Sequence, residues 1–145
     1  MEQYATEGDL AAYWLLAIDQ LDGIEGKVVA DLGAGNGILG IGALLLGAKH
    51  VLFVEADEDA IAVLENNVAS LEEKYSSRAE LQNASIGRDE VRLNGTDLVV
   101  MNPPWGVQKA RADRPFLETA FASPADAVHL LHSDGARHLE ALAND

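Results

Sequence analysis

Between Lys27 and Leu46 the chain reads as an apolar strand, a glycine-punctuated turn and an apolar helix, and few folds accommodate those three pieces in that order. Val28-Val29-Ala30 leads into Asp31-Leu32-Gly33-Ala34-Gly35-Asn36-Gly37, and Ile38 to Leu46 then continues without a charge. Glycines at 33, 35 and 37 let the backbone turn sharply and approach a ligand, while Gly40, Gly42 and Ala43 let the helix lie close to a sheet. Such a unit binds a nucleotide-like molecule at the carboxyl end of the strand. Gly35-Asn36-Gly37-Ile38-Leu39-Gly40 also fits the dinucleotide fingerprint, which leaves a nicotinamide oxidoreductase as an alternative. Asp31 weighs against it, because a carboxylate beside the turn repels a pyrophosphate and attracts the ammonium of an amino-acid moiety. S-adenosylmethionine has the ammonium and lacks the pyrophosphate.

His50 to Glu55 reads as the second strand, and Glu55, 22 residues after Gly33, stands at its carboxyl end, where an acid accepts hydrogen bonds from ribose hydroxyls. Asp57-Glu58-Asp59 favours a helix start, with Ile61, Leu64, Val68 and Leu71 as the apolar stripe. Ala79 to Ala84 is a third strand, with Ser85 at its end, where an adenine edge would fall. Ile86 to Gly95 reads as a solvated connection, and Asp97 to Met101 as a short buried fourth strand.

That fourth strand runs into Asn102-Pro103-Pro104-Trp105-Gly106. An exocyclic amine on an adenine ring shares its lone pair with the ring, so a catalyst must hold the N–H groups and free the lone pair. The Asn102 side-chain oxygen and the Pro103 carbonyl each accept one hydrogen bond, and the prolines stiffen the turn without adding donors. Trp105 offers a flat face for an extruded base, worth roughly 1–3 kcal/mol. The same residues also fit a strand stopped by prolines with a Trp in the core.

Composition limits the chemistry. A chain of 145 residues is about one domain, and no cysteine is present for a disulfide, a thiolate nucleophile or a thiolate metal site. Its four histidines lack paired spacing, so no metal site is expected. No apolar run approaches the roughly 20 residues of a spanning helix, and Glu2 follows Met1 directly, so a cytoplasmic location is expected. The net charge is −14, which by itself argues against nucleic acid. In a salt-rich cytoplasm that charge does not exclude an RNA substrate, because at about 1 M salt the screening length is only about 3 Å.

The remaining segments fill out an alternation. Thr6-Glu7-Gly8-Asp9 resembles a capping box, followed by Leu10, Trp14, Ala17, Ile18 and Leu21 at helical spacing. Glu2 to Thr6 before it is a terminus or a flap over a ligand. Lys109, Arg111 and Arg114 put three of the ten basic residues within six positions, a phosphate contact or a surface loop. Pro115 suits the first turn of a helix carrying Phe116, Leu117, Ala120 and Phe121 inward. Ala127 to Leu131 is a fifth strand, ending in His132-Ser133, and a last helix is expected from about Ala136 to Leu142. Strand and helix alternating five times imply an α/β fold with a mostly parallel sheet, and the ends of strands one, two and four converge on one crevice.

Glu2-Gln3-Tyr4-Ala5-Thr6, Asp31 to Gly37, Val100 to Gly106 and Ala112 to Glu118 together resemble a family. The chain looks like a class I S-adenosylmethionine-dependent methyltransferase of the Asn-Pro-Pro-aromatic type, similar to the methyltransferase-like-five enzymes that methylate small-subunit ribosomal RNA adenine at N6. The resemblance implies a Rossmann-like, doubly wound sheet and cofactor contact by Gln3, Tyr4, Thr6, Asp31, Gly33, Gly35 and Glu55. It implies target-base contact by Asn102, Pro103, Pro104 and Trp105, direct in-line methyl transfer, and a small zinc-binding activator subunit. Where that family commonly has an aspartate against the cofactor's adenine amine, this chain has Ser85. Its sheet also ends in an antiparallel hairpin, and this chain stops at Asp145 before one, as a C-terminally truncated single domain of residues 1–145 would. Two rivals remain: glutamine methylation of a release factor, whose enzymes usually carry Tyr where Trp105 stands, and a non-catalytic platform that binds cofactor or RNA.

Overall fold

A computed structural model of the chain describes residues 2–86, 88–93, 95–101, 115 and 118–130, with residues 2–10 as helix backbone alone. Helix α1 (Glu2–Asp22) leads into β1 (Val28–Leu32), α2 (Ile38–Leu45), β2 (His50–Glu55), α3 (Glu58–Ala69), α4 (Glu73–Ser76), β3 (Ala79–Asn83), β4 (Leu98–Met101) and β5 (Ala127–Leu130). The strands form one sheet in the order β3-β2-β1-β4-β5, and every pairing is parallel. The order reverses between β1 and β4, the place where an open α/β sheet leaves a crevice.

The inner strands read as unbroken apolar runs because both of their faces are covered. Successive β1 residues serve the two sides in turn. Val29 packs in a core with Leu15, Leu44, Phe53 and Leu64 under α1, α2 and α3. Ala30 and Leu32 pack in a second core with Val54, Val99, Met101 and Leu130. Helix α2 lies so near the sheet that a Cβ added at Gly40 would run into the buried Phe53 ring, with Cζ 2.8 Å and Cδ2 2.9 Å away. Gly40→Ala is therefore expected to lower stability by about 2 kcal/mol in urea denaturation, although alanine is the better helix former by about 1 kcal/mol. An unchanged or raised midpoint would mean that the ring yields.

Four expectations need correction. Helix α1 begins at Glu2, ahead of the Thr6 capping box, because Glu2, Gln3 and Ala5 are good helix formers and an acid suits the first turn. Its buried residues are Ala11, Leu15 and Ile18, whereas Leu21 is 76% exposed. Apolar residues surround this helix so nearly that periodicity does not select a face. His129 Nε2 lies 2.7 Å from Asp22 Oδ2 and ties β5 to the end of α1.

The connection from β3 to β4 is not simply solvated. Leu93 is buried, and Ile86 and Val91 pack against the second core, while Arg88, Asp89 and Glu90 face solvent. Alternating side chains let this stretch cover a sheet face. At 118–122 the chain is helical, with Ala120 buried and Phe121 56% exposed, so Phe121 does not point inward as expected. Phe116, Leu117, His132, Ser133 and the expected last helix lie outside the described residues.

Candidate functional site

The glycine turn is pinned to the end of the neighbouring strand. Gly33 and Ala34 N–H donate to the Val54 carbonyl at 2.8 and 2.9 Å, and Gly35 N–H donates to Glu55 Oε1 at 2.7 Å. Gly35 has φ +58°, a left-handed conformation that glycine adopts without penalty. The turn is thus held open against β2 by its own amides and one carboxylate.

Glu55 holds two backbone groups at once, because its Oε2 accepts from Asp57 N–H at 2.9 Å. Each oxygen keeps a second lone pair, so acceptance from ribose hydroxyls remains chemically open. Asp57 in turn caps α3, accepting from Asp59 N–H at 3.0 Å as the acidic run suggested. Glu55→Ala leaves the Gly35 and Asp57 amides without acceptors and is expected to cost about 1–3 kcal/mol in thermal or urea unfolding. A variant as stable as the parent would show that water replaces the carboxylate there.

Asp31 is buried, 1% exposed, and its Oδ2 accepts from Gly40 N–H at 3.0 Å. Gly40 lies in the first turn of α2, whose N-cap, Gly37, provides no side-chain cap. Asp31 therefore caps that helix from the adjacent strand, a role its sequence position did not reveal. Burial pushes its carboxyl up to about 7; the Gly40 amide opposes the rise and the Glu55 charge adds to it. An ammonium beside it would stabilise the ionised form.

Two asparagines not singled out in the sequence, Asn83 and Asn67, brace this arrangement. Asn83 stands opposite Glu55 in the β2–β3 register, and its Nδ2 donates to the carbonyls of Glu55 at 2.9 Å and Ala56 at 3.2 Å. Asn67 on α3 donates to the Asn36 carbonyl at 2.8 Å, bracing the turn from the helix side. Ser85, half-buried beyond β3, donates its N–H to Asp89 Oδ2 at 2.7 Å. The asparagine amides gave no periodic signal: the parallel register pairs Asn83 with Glu55, and the packing of α3 brings Asn67 to Asn36.

On the other side of the switch point, Met101 stands opposite Leu32. The chain therefore leaves β4 at the level where β1 gives way to Gly33. Asn102, Pro103, Pro104 and Trp105 come next in sequence and lie outside the described residues, as do Lys109, Arg111 and Arg114. Gln3, Tyr4 and Thr6 belong to α1. A separate cavity of about 290 Å³ lies between Val91 and Leu93 on one side and Thr119, Ser123 and Pro124 on the other, with Asp89 at its rim. Neither the glycine turn nor Glu55 lines it.

Comparison with known proteins places this architecture. A family model described as conserved hypothetical protein 95 matches residues 12–139. The rRNA N(6)-adenosine-methyltransferase METTL5 of Danio rerio is 36% identical over 148 residues, covering 100% of this chain and 70% of that protein. Its Drosophila melanogaster counterpart is 37% identical, covering 94% and 65% respectively. A crystal structure from Pyrococcus horikoshii, provisionally described as an RNA methyltransferase, superposes with a TM-score of 0.75 at 39% identity, over 94% of this chain and 65% of that one. The chain thus spans about two thirds of the length of these relatives. Its five parallel strands in the order β3-β2-β1-β4-β5 are those of a class I methyltransferase sheet. With a matched model over residues 12–139 and an alignment to METTL5 that spans the whole of this chain, the chain belongs to the conserved hypothetical protein 95 family and to the METTL5 family of methyltransferases.

Proposed function

We propose that this protein transfers a methyl group from S-adenosylmethionine to the exocyclic amine of an adenine in RNA, with small-subunit ribosomal RNA as the substrate. The observation that carries the reading is the register of β1 with β4. Leu32 opposite Met101 sets the strand end that leads into the glycine turn beside the strand end that Asn102-Pro103-Pro104-Trp105 follows in sequence. The relatives named for rRNA adenine methylation support the substrate class.

The described residues suit the cofactor. The glycine-rich turn at Gly33 to Gly37, a carboxylate with spare lone pairs at Glu55, and a buried acid at Asp31 offer acceptors suited to a nucleoside bearing an ammonium. When bound, S-adenosylmethionine supplies a methyl group activated by its sulfonium. Glu55 orients the ribose, and Asp31 neutralises the ammonium. Asn102 and the Pro103 carbonyl hold the two N–H groups of the target amine, Trp105 stacks on the ring, and Lys109, Arg111 and Arg114 meet backbone phosphates. Rate enhancement then rests on alignment of the amine with the methyl carbon, with the proton lost to water afterwards.

The same reading includes a small zinc-binding activator subunit, seated along β3. That strand pairs with β2 and has no second neighbour in the described sheet, so its outer edge suits strand addition.

Incubation with methyl-labelled cofactor and, in parallel, ribosomal RNA or a release factor tests the proposal. Label in RNA that co-migrates with N6-methyladenosine after digestion is the expected result. Label in the release factor's glutamine instead would overturn the substrate assignment.

A further inference from the structure

The turn from Gly33 to Gly37 holds three glycines with positive φ, at +74°, +58° and +89°. Glycine populates both signs of φ about equally, so the peptide unit entering each of them rotates at little cost unless something holds it. Each is held from outside the turn by one hydrogen bond. Gly33 N–H donates to the Val54 carbonyl at 2.8 Å, and Gly35 N–H donates to Glu55 Oε1 at 2.7 Å. The third hold comes from a helix. Asn67 Nδ2 on α3 donates at 2.8 Å to the Asn36 carbonyl, which belongs to the peptide unit entering Gly37. The other end of that unit, Gly37 N–H, donates within the turn to the Ala34 carbonyl at 2.9 Å.

Helix α3 is fixed well enough to act as that brace. Glu55 Oε2 accepts from Asp57 N–H at 2.9 Å, so the carboxylate that holds Gly35 also holds the residue capping α3. Leu64 is fully buried against Gly37, where an added Cβ would collide with its Cδ1. Asn67, half-buried, follows one helical turn later on the same face, which brings its amide to the exposed Asn36. A carbonyl only accepts, so the nitrogen of the Asn67 amide faces it. We infer that Asn67 is a positioning residue for the cofactor: its amide keeps the Asn36–Gly37 peptide, and with it the turn, in the conformation that binds, without itself touching the ligand. Val54 acts through its main chain, and Glu55 is itself set against the ribose, so Asn67 is the hold whose loss separates positioning from contact. This role rests on the proposed function, because it needs the glycine turn to be the cofactor's seat.

Binding and amide exchange are measured side by side on the parent chain, Asn67→Ala, Asn67→Asp and a control, Asn66→Ala. Asn66 is an exposed neighbour on α3 whose side chain makes no bond to the turn among the described residues. S-adenosylhomocysteine is titrated calorimetrically, and hydrogen exchange at the Gly37 amide is followed by NMR in the ligand-free proteins. Loss of one neutral hydrogen bond predicts about fivefold weaker binding in Asn67→Ala and about fivefold faster exchange at Gly37. Aspartate keeps the size of asparagine but offers only acceptors to a carbonyl, so Asn67→Asp is expected to bind no better than Asn67→Ala. Asn66→Ala is expected to match the parent in both readouts. In RNA methylation the loss should appear as a raised KM for the cofactor, with kcat at saturating cofactor within about twofold of the parent value. A purely structural role would lower the melting temperature and leave both binding and Gly37 exchange where they were. That result, parent-like binding in Asn67→Asp, or equal weakening in Asn66→Ala overturns the role of Asn67 and leaves the cofactor reading standing. Absence of S-adenosylhomocysteine binding to the parent chain overturns both.

Discussion

Between pH 5 and pH 8 the native state is expected to lose about 2–3 kcal/mol relative to an Asp31→Asn variant, roughly 5–10 °C in melting temperature. The carboxyl of Asp31 is raised from 3.8 to about 7, first by burial, with the Gly40 hydrogen bond opposing and the Glu55 charge reinforcing the shift. A carboxyl with a raised folded pKa binds its proton more tightly in the native than in the unfolded chain. Its contribution to stability is therefore complete below pH 3.8 and disappears as pH rises through about 7. Above that pH the fold carries a buried charge with one backbone donor. Asparagine keeps the shape and an oxygen for Gly40 N–H but does not ionise, so its melting temperature should follow only the titrations that both proteins share. Parallel pH profiles for the two proteins would show that Asp31 is ionised throughout. The same acid couples to the proposed ligand: an ammonium placed beside it favours the ionised form, so S-adenosylhomocysteine should raise the melting temperature more at pH 8 than at pH 6. That increment should be flat in Asp31→Asn.

The parts of the fold that were legible in the sequence are those whose signal is local. Strands β1, β2 and β4 are apolar on both faces and end at turn residues, so their extents could be read to within a residue. The glycine turn and Glu55 were legible because their conformational freedom and strand-end charge belong to single positions. What failed was whatever depends on a distant partner. Helix α1 has too many apolar residues for its face to be chosen, and only packing of Ala11, Leu15 and Ile18 in the first core selects it. The 86–93 stretch looked solvated because its charges are obvious, and Leu93 is buried only because a sheet face lies beneath it. Asp31 was recognised as an acid beside the turn, but its bond to Gly40 follows from how α2 settles on β1. Asn83 is an ordinary polar residue until the β2–β3 register sets it against Glu55, and Asn67 until α3 packs it against Asn36.

Replacing Asn102 with alanine is expected to lower the rate of RNA methylation by about 10²–10³ while leaving the cofactor-induced rise in melting temperature unchanged. The magnitude is that of removing one polar contact aimed at the reacting centre. The split between the two readouts follows from the division of labour in the proposed site. Ligand binding draws on the turn at Gly33 to Gly37, Glu55 and Asp31, all carried by β1, β2 and the loops after them. The amide belongs to the chain leaving β4, beyond Met101 and its partner Leu32. In the proposed site a carboxamide oxygen at Asn102 accepts from an N–H of the target amine and so keeps its lone pair directed at the methyl carbon. Asn102→Asp keeps an acceptor of similar reach and adds a charge, so it should retain more activity than alanine if acceptance alone matters. A variant that methylates RNA at the parent rate removes Asn102 from the chemistry. One that loses the melting shift together with the rate moves it among the ligand contacts, and the amine must then be held by something other than the end of β4.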